Sequence, residues 1–294
     1  MITRVTTQMQ MTAASQRLQT GAAQLAKLSD QATTLQNITR PSDDPTGTGQ
    51  SIAIRSEQAQ NAQFARNADS GAGWLATTDS ALSSAFSAMS AFRDLTVQGA
   101  NEGSTSDTDR EAIVTQLQGI KQTLLQDANT TYAGRPVFAG STDTSTAYTE
   151  DFVWNGSSDS TVMRRIETGT TVRVDTDGSA AFGSGSDSVF SLLDSVVSDL
   201  RNGVNVNARL NEIDDRMDAI RGVQADLGTR HAAIISAQST LASKSTELEG
   251  QRSQIEDKDV AKAILDLQLQ QTNYQAALAV TAKTLQPTLM DYLA

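Results

Sequence analysis

Cysteine is absent from the 294 residues, and histidine occurs once, at His231. Those two gaps exclude disulfides, thiolate zinc sites and cysteine nucleophiles, and they deny His231 a partner for any two-histidine metal motif. Aromatic residues make up only 4 % of the chain, so a conventional globular core is hard to fill. Proline occurs four times. No apolar run approaches the roughly 20 residues that a membrane-spanning helix needs. The opening Met1-Ile-Thr-Arg-Val-Thr-Thr-Gln also lacks the apolar segment of a cleaved secretory signal, so the expectation is either a cytoplasmic protein or export by a route without one. Positive charge is short as well: the net charge of -11 disfavours a nucleic-acid surface, which needs clustered Lys and Arg.

What the chain does have is periodicity at both ends. Met11, Ala14, Leu18, Gly21, Leu25, Leu28, Ala32 and Leu35 alternate at spacings of three and four, which makes a heptad seam. A second series runs Val260, Ile264, Leu267, Gln271, Tyr274, Leu278, Thr281, Leu285, Thr288 and Tyr292. The seams are diluted by Gly21, Gln271, Thr281 and Thr288. They predict two helices that gain stability from packing rather than from propensity, and that order fully only on assembly.

Between the ends, the first helical pattern breaks over Asn37–Pro41, because proline restricts the residue before it and cannot extend the ladder. Ser42-Asp-Asp-Pro45 then offers caps for a helix over about 48–98 that carries Ile52, Phe64, Trp74, Leu82 and Leu95. Thr108 with Glu111 suggests a capping box for a third helix through Leu117 and Leu124. Residues 141–188 change character, with 18 Ser or Thr among 48 positions and a formal charge of -5. Alternating runs at Phe152–Trp154, Val162–Ile166 and Thr171–Val174, with turn signals at Asn155-Gly156 and Asp177-Gly178, predict a small β insert leaning on the helices. Helical pattern resumes after an Asp187 or Ser188 cap and ends at Gly203. A long helix then runs from about Val206 to Ile255, with Leu241, Leu248 and Ile255 one heptad apart. The chain therefore reads as mainly α: a long antiparallel helical rod and a coiled coil made from both chain ends, with a β-rich insert in the middle.

No catalytic constellation emerges. Asp175-Thr-Asp177-Gly178 places its glycine two positions too early for a calcium loop and has Ser186 at position twelve, so it reads as a hairpin turn. Gly183-Ser-Gly185 lacks the lysine and the further glycines of a phosphate loop. Asn155-Gly-Ser157 fits a glycosylation sequon, a pattern frequent by chance. His231 has no Ser/Asp arrangement around it. No cofactor and no metal site is expected, and an enzymatic role is not.

Several segments taken in order resemble the flagellin superfamily, and within it the branch that joins hook to filament. They are Arg40-Pro-Ser-Asp-Asp-Pro45, Tyr132-Ala-Gly-Arg-Pro-Val-Phe-Ala-Gly140, Trp154-Asn-Gly156, Ile166-Glu-Thr-Gly169, Ile255-Glu-Asp-Lys-Asp-Val-Ala-Lys262, Asn273-Tyr-Gln-Ala-Ala-Leu278 and Asp291-Tyr-Leu293. Together they cover essentially the whole chain. Two departures stand out. Thr34–Thr39 replaces the usual basic stretch, and Pro136 removes a backbone donor, so a strand is expected to start after it.

The resemblance implies a structural protein, exported through the flagellum itself by a type III route, that forms a ring at the hook–filament junction and serves as adaptor for flagellin. Its implied partners are further copies of itself, flagellin, another hook-associated junction protein on the hook side, and a secretion chaperone before export, with no nucleic acid and no membrane insertion. It also implies a division of the chain. Residues 1–44 would pair with 257–294 in an inner, D0-like coiled coil, 45–139 with 188–256 would form a D1-like rod, and 140–187 a D2-like β insert. Leu18, Leu25, Leu28, Leu35, Ile264, Leu265, Leu267, Leu278 and Leu285 would then be assembly residues. Filament-forming flagellin, separable by copy number, and a cytoplasmic coiled-coil adaptor, which leaves the β insert unexplained, remain the alternatives.

Overall fold

The structure is a computed structural model that describes residues 2–101 and 106–284. It is mainly helical, with seven α-helices and four short strands among the described residues: α1 Ile2–Thr34, α2 Pro45–Gly99, α3 Asp107–Ala128, β1 Thr131–Tyr132, β2 Arg135–Pro136, β3 Met163–Glu167, β4 Thr170–Arg173, α4 Gly178–Phe182, α5 Val189–Arg201, α6 Arg209–Glu256 and α7 Val260–Thr284. At ~1.5 Å rise per residue, the 48 residues of α6 extend for roughly 70 Å. Contacts divide the chain into one unit of residues 1–60 with 245–294, and a second of residues 61–244.

In the first unit α1 packs against α7. Helix α1 stops at Thr34, before the proline that was expected to end it. Leu35 takes a left-handed conformation (φ 57°) that no helix can continue. The Leu35 carbonyl thereby accepts the Lys258 N–H at 2.9 Å, and the Asn37 N–H reaches the Glu256 carbonyl at 2.6 Å. Helix α2 starts at Pro45, whose fixed φ and missing N–H suit the first helical position. The Asp44 side chain caps it by accepting the Gly47 N–H at 2.9 Å.

In the second unit α2 and α6 run antiparallel. Asn61 donates to the Leu241 carbonyl at 3.0 Å, Gln238 to Asp69 at 2.8 Å, and Arg93 to Asp214 at 2.6 Å. Ile213, Ile220, Leu227, Ile234 and Leu241 are all buried, each one heptad from the next, which extends the sequence periodicity toward the start of α6. Helices α3 and α5 form a second antiparallel pair, tied by Lys121–Asp194 at 2.7 Å and Arg201–Glu111 at 2.7 Å. The α3 cap is Ser106 with Asp109 in a reciprocal capping box, two residues before the expected Thr108. Ser188 caps α5 by accepting the Ser191 N–H at 3.1 Å.

The strands are two separate antiparallel hairpins, β1–β2 and β3–β4, with no closed sheet. Pro136 sits inside β2 opposite Thr131 rather than ahead of it. The neighbouring Val137 N–H makes the ladder bond to the Thr130 carbonyl at 3.0 Å, so Pro136 occupies a position whose N–H the ladder does not use. Ala133 and Gly134, both at positive φ, turn this hairpin. Asp177-Gly178 does not turn a hairpin: Asp177 caps the five-residue α4, accepting the Ser179 N–H at 2.9 Å. Phe152–Trp154 forms only a single bridge, between Trp154 and Tyr148.

Aromatics, scarce overall, concentrate where this region meets the helices. Phe138 meets Phe182 edge-on at 5.1 Å, Tyr148 lies 5.3 Å from Phe190 of α5, and Tyr132 lies 5.7 Å from Trp74 of α2. The Tyr148 hydroxyl donates toward the carbonyls of Gly183 at 2.7 Å and Gly178 at 2.9 Å, and burial raises its pKa far above the ordinary phenol value. Gly140 adopts φ +68° beside the Ser160 carbonyl, where any side chain would collide.

Candidate assembly interface

The inward face of α1 carries Ala14, Leu18, Gly21, Leu25, Leu28 and Ala32, all half-buried, at alternating spacings of four and three. These are six of the eight positions expected from the sequence; Met11, the first of that series, is 50 % exposed. Leu35 is 41 % exposed and closes the helix instead of extending the stripe. On α7 the inward positions are Ala263, Leu267, Gln270, Tyr274 and Thr281. At Gly21 a Cβ would lie 3.2 Å from the Tyr274 ring. Gln270 donates to the Gly21 carbonyl at 3.3 Å, and Ala14 and Leu18 share a groove with Tyr274 and Thr281. The two helices therefore run antiparallel.

Ile264 and Leu278, expected on this seam, are 47 % and 42 % exposed and flank it. Leu265 and Leu269 are 65 % and 63 % exposed and lie on the side of α7 away from Ala263, Gln270 and Tyr274, with Val280, 61 % exposed, at its edge. Helix α7 thus carries apolar residues on both sides, the pattern of a helix buried in something larger. Leu285, Thr288, Tyr292 and the Asp291-Tyr-Leu293 segment lie outside the described residues.

Where α1 turns into α2, two of the segments that carry the resemblance meet. Glu256, the last residue of α6, is 8 % exposed. Its carboxylate accepts from Arg55 Nε and Nη2, both at 2.9 Å, and from the Ser51 hydroxyl, while Arg252 stands 3.8 Å away. The Arg55 guanidinium, more than any other group, holds the Glu256 carboxyl below the usual carboxylate range. Lys258 donates to Gln31 at 2.8 Å, and Gln31 donates to the Asn37 carbonyl at 2.8 Å. Asp43 accepts from the Thr39 hydroxyl at 2.9 Å and pairs with Lys27 at 3.1 Å. These bonds, the Thr39 one first, lower its pKa. A groove of about 310 Å³ beside this cluster is lined by Ile38, Pro41, Ile52, Arg55 and Glu256 among others.

Sequence reasoning named the segments carrying Arg40 and Glu256 but not the bond between Glu256 and Arg55. Glu256 stands beside the seam residue Ile255 and is followed by Asp257 and Asp259, so no sequence signal singled it out. Among the described residues, no three His, Asp or Glu side chains are grouped to hold a metal, and no helix is long and apolar enough to cross a membrane.

Residues 5–143 match the bacterial flagellin N-terminal helical region, and residues 210–293 the bacterial flagellin C-terminal helical region; together these span more than half of the chain. This chain belongs to the flagellin family. Among its relatives is the flagellar hook-associated protein 3 of Salmonella typhimurium, 26 % identical over 300 residues that cover 93 % of this chain and 94 % of that one. The fold resembles that of a Vibrio parahaemolyticus structure assigned to the flagellar hook-associated class. That likeness has a TM-score of 0.68 and 22 % identity, and it covers 73 % of this chain and 100 % of the other. It also resembles the flagellar junction protein of Legionella pneumophila, with a TM-score of 0.58 and 16 % identity over 70 % and 99 % of the two chains. The role of this flagellin-family chain is structural, at the hook–filament junction of the bacterial flagellum, and not enzymatic. It assembles there with other flagellar components.

Proposed function

We propose that this chain forms a ring of identical subunits at the junction, with another hook-associated protein on the hook side and flagellin on the filament side. The observation that carries this reading is the doubly apolar α7. One side is covered by α1, and the other presents Leu265 and Leu269, 65 % and 63 % exposed. A second apolar stripe stabilises an assembly only when neighbouring subunits cover it, at roughly 25 cal/mol per Å² removed from water. Leu18, Leu25, Leu28, Ile264, Leu267, Leu278 and Leu285 act in this assembly as inner-seam residues or their flanks, and Leu35 sets the turn out of it. Within it, residues 1–44 with 257–294 serve as the inner element, 45–139 with 188–256 as the surrounding helices, and 140–187 as the outer insert.

Export proceeds without a cleaved signal peptide. A secretion chaperone covers the C-terminal seam until then, because an apolar stripe exposed before assembly invites aggregation. The test is deletion of the gene in the source organism, followed by electron microscopy of the hooks and assay of flagellin in the medium. Bare hooks with flagellin lost to the medium are expected. Normal filaments would overturn the reading.

A further inference from the structure

The chain contains two Asn-Gly pairs, Asn155-Gly156 and Asn202-Gly203, and the structure treats them oppositely. An asparagine followed by glycine is open to attack by the glycine amide nitrogen on the side-chain carbonyl carbon, because no side chain shields the approach. Whether the attack takes place depends on the freedom of that nitrogen and on the torsion ψ of the asparagine.

Asn202 is the C-cap of α5, at φ -85° and ψ 1°. Closing a five-membered ring needs the following nitrogen nearly eclipsed with Cβ, whereas this ψ eclipses it with the residue's own amide nitrogen. The Gly203 N–H is also engaged, donating to the Leu200 carbonyl at 3.2 Å, and the Asn202 side chain donates to the Ser198 hydroxyl at 3.3 Å. The next amide, Val204, donates to the Asp199 carbonyl at 2.8 Å. Reaching the reactive geometry at Asn202 therefore requires the helix end to open.

Asn155 is exposed and lies outside any helix or strand. Its own N–H is held by the Ala147 carbonyl at 2.8 Å, which fixes the chain up to that point. Beyond it, among the described residues, the Gly156 N–H and the Asn155 side-chain amide take part in no hydrogen bond. Glycine is required at 156 for another reason as well: a Cβ there would strike the Trp154 indole, whose Nε1 donates to the Phe138 carbonyl at 3.2 Å.

We propose that Asn155 is a self-modifying site of the β-rich region, converting to aspartate and isoaspartate in the folded protein while Asn202 is preserved. The Gly156 nitrogen loses its proton to solvent base and bonds to the Asn155 Cγ. The bond from Cγ to the side-chain nitrogen breaks, releasing ammonia and leaving a succinimide. Water then opens the ring. Attack at the side-chain carbonyl gives aspartate, and attack at the backbone carbonyl gives isoaspartate, whose backbone runs through an extra methylene. Either product adds one negative charge to a region that already carries a formal -5. The isoaspartyl link lengthens the chain beside Trp154. The fraction converted therefore rises with the age of the molecule.

The experiment incubates the full-length folded protein above neutral pH. It follows the mass gain of amide-to-acid conversion on tryptic peptides, with fragmentation to assign the residue and an isoaspartyl methyltransferase to detect the rearranged product. Trypsin spares the Arg135-Pro136 bond, so the peptide runs over residues 122–164 and holds Asn129 as well as Asn155, which fragmentation tells apart. Conversion at Asn155 is expected to exceed that at Asn202 by about tenfold or more in the folded protein, the factor that one lost hydrogen bond of ~1.4 kcal/mol would produce. In denaturant the two rates should converge, because the difference resides in the fold. Asn155→Gln should remove the mass change assigned to position 155. Equal rates in the folded protein, or faster conversion at Asn202, would overturn the proposal.

Discussion

Arg55 of α2 grips Glu256 at the end of α6 through two hydrogen bonds of 2.9 Å each, across 201 residues of sequence. The pair belongs to the first unit and forms its polar centre. The Glu256 backbone carbonyl holds Asn37, its side chain holds Ser51 and Arg55, and the chain turns from α1 to α2 around it.

The first prediction concerns acid. The folded pKa of Glu256 is depressed from a starting value of 4.5, chiefly by Arg55 and then by Ser51, with Arg252 adding a weaker attraction. A depressed carboxylate contributes stability that is fully present above the unfolded pKa and is lost as pH falls through the folded one. The window of loss therefore lies below about pH 4.5. Glu256→Ala leaves the Ser51 hydroxyl and Arg55 without their acceptor and should cost about 2 kcal/mol at neutral pH. Hydrogen exchange of residues 35–41 and 250–258 reads this directly. Unchanged protection there in the variant would refute it.

Asp127 is the opposite case. It sits in the last turn of α3, where the helix dipole disfavours negative charge, and its Oδ2 is buried without a hydrogen-bond partner. Burial raises its pKa, offset only in part by the Ser84 hydroxyl. A carboxyl with a raised folded pKa destabilises the fold when ionised, and this penalty is relieved as pH falls through that folded value. Asp127→Asn should thus stabilise the second unit by about 1 kcal/mol at neutral pH, with the gain shrinking toward acid. Urea unfolding at two pH values checks both the sign and the trend. A destabilised variant at neutral pH would contradict the assignment.

The α1–α7 contact predicts a size limit at Gly21. A Cβ there would sit 3.2 Å from the half-buried Tyr274 ring, so Gly21→Ala meets a neighbour that must shift by a few tenths of an ångström, against a gain of roughly 1 kcal/mol in helix propensity. The longer side chain of Gly21→Leu cannot be accommodated in this way and should separate the helices. Disulfide trapping of a cysteine pair placed at 21 and 274 in the otherwise cysteine-free chain reports whether the two positions meet. Efficient cross-linking in the folded protein is the expected result, and its absence would place the helices elsewhere.

How much of this was legible in the sequence depended on whether the signal was local. The half-burial of the α1 positions from Ala14 to Ala32 follows from spacing, although Met11 at the start of the expected series is exposed, and short-range hydrogen bonding selects Ser188 from the two caps, Asp187 or Ser188, that the sequence offered. Leu35 continued the heptad in sequence yet left the helix, because its carbonyl is claimed by Lys258, more than 200 residues away in the chain. Pro136 suggested a strand start because a missing N–H matters only where the ladder needs one, and the register that decides this is set by Thr130 and Val137. Asp177-Gly178 suits a hairpin turn and a helix cap equally well. The choice is made by tertiary contact, with the Gly178 N–H bonded to the Phe138 carbonyl at 3.1 Å and the Tyr148 hydroxyl closing onto the Gly178 carbonyl. The Glu256–Arg55 bond could not be read at all, since periodicity shows which face a residue occupies but not which distant side chain shares it.

The outer stripe of α7 separates folding from assembly. Leu265 is 65 % exposed within the chain, so Leu265→Asp removes little apolar contact from the unit itself and should change its stability by no more than about 0.5 kcal/mol. In an assembled ring the same substitution places a charge in a desolvated seam, where an unpaired carboxylate is strongly unfavourable. Incorporation into flagella should therefore be lost although the purified variant unfolds like the parent. Leu278→Asp, at 42 % exposure on the flank of the inner seam, should block incorporation too while the β-rich region stays folded, and Leu285→Asp is expected to do the same. Leu267→Asp points toward α1 and should instead weaken the isolated chain, which makes it the control that tells an internal contact from an external one. Complementation of a deletion strain, scored for filaments beside equilibrium unfolding of each purified variant, measures both quantities. Normal filaments with Leu265→Asp would show that the exposed stripe meets solvent in the assembly as well, and the ring would then have to be held by other surfaces.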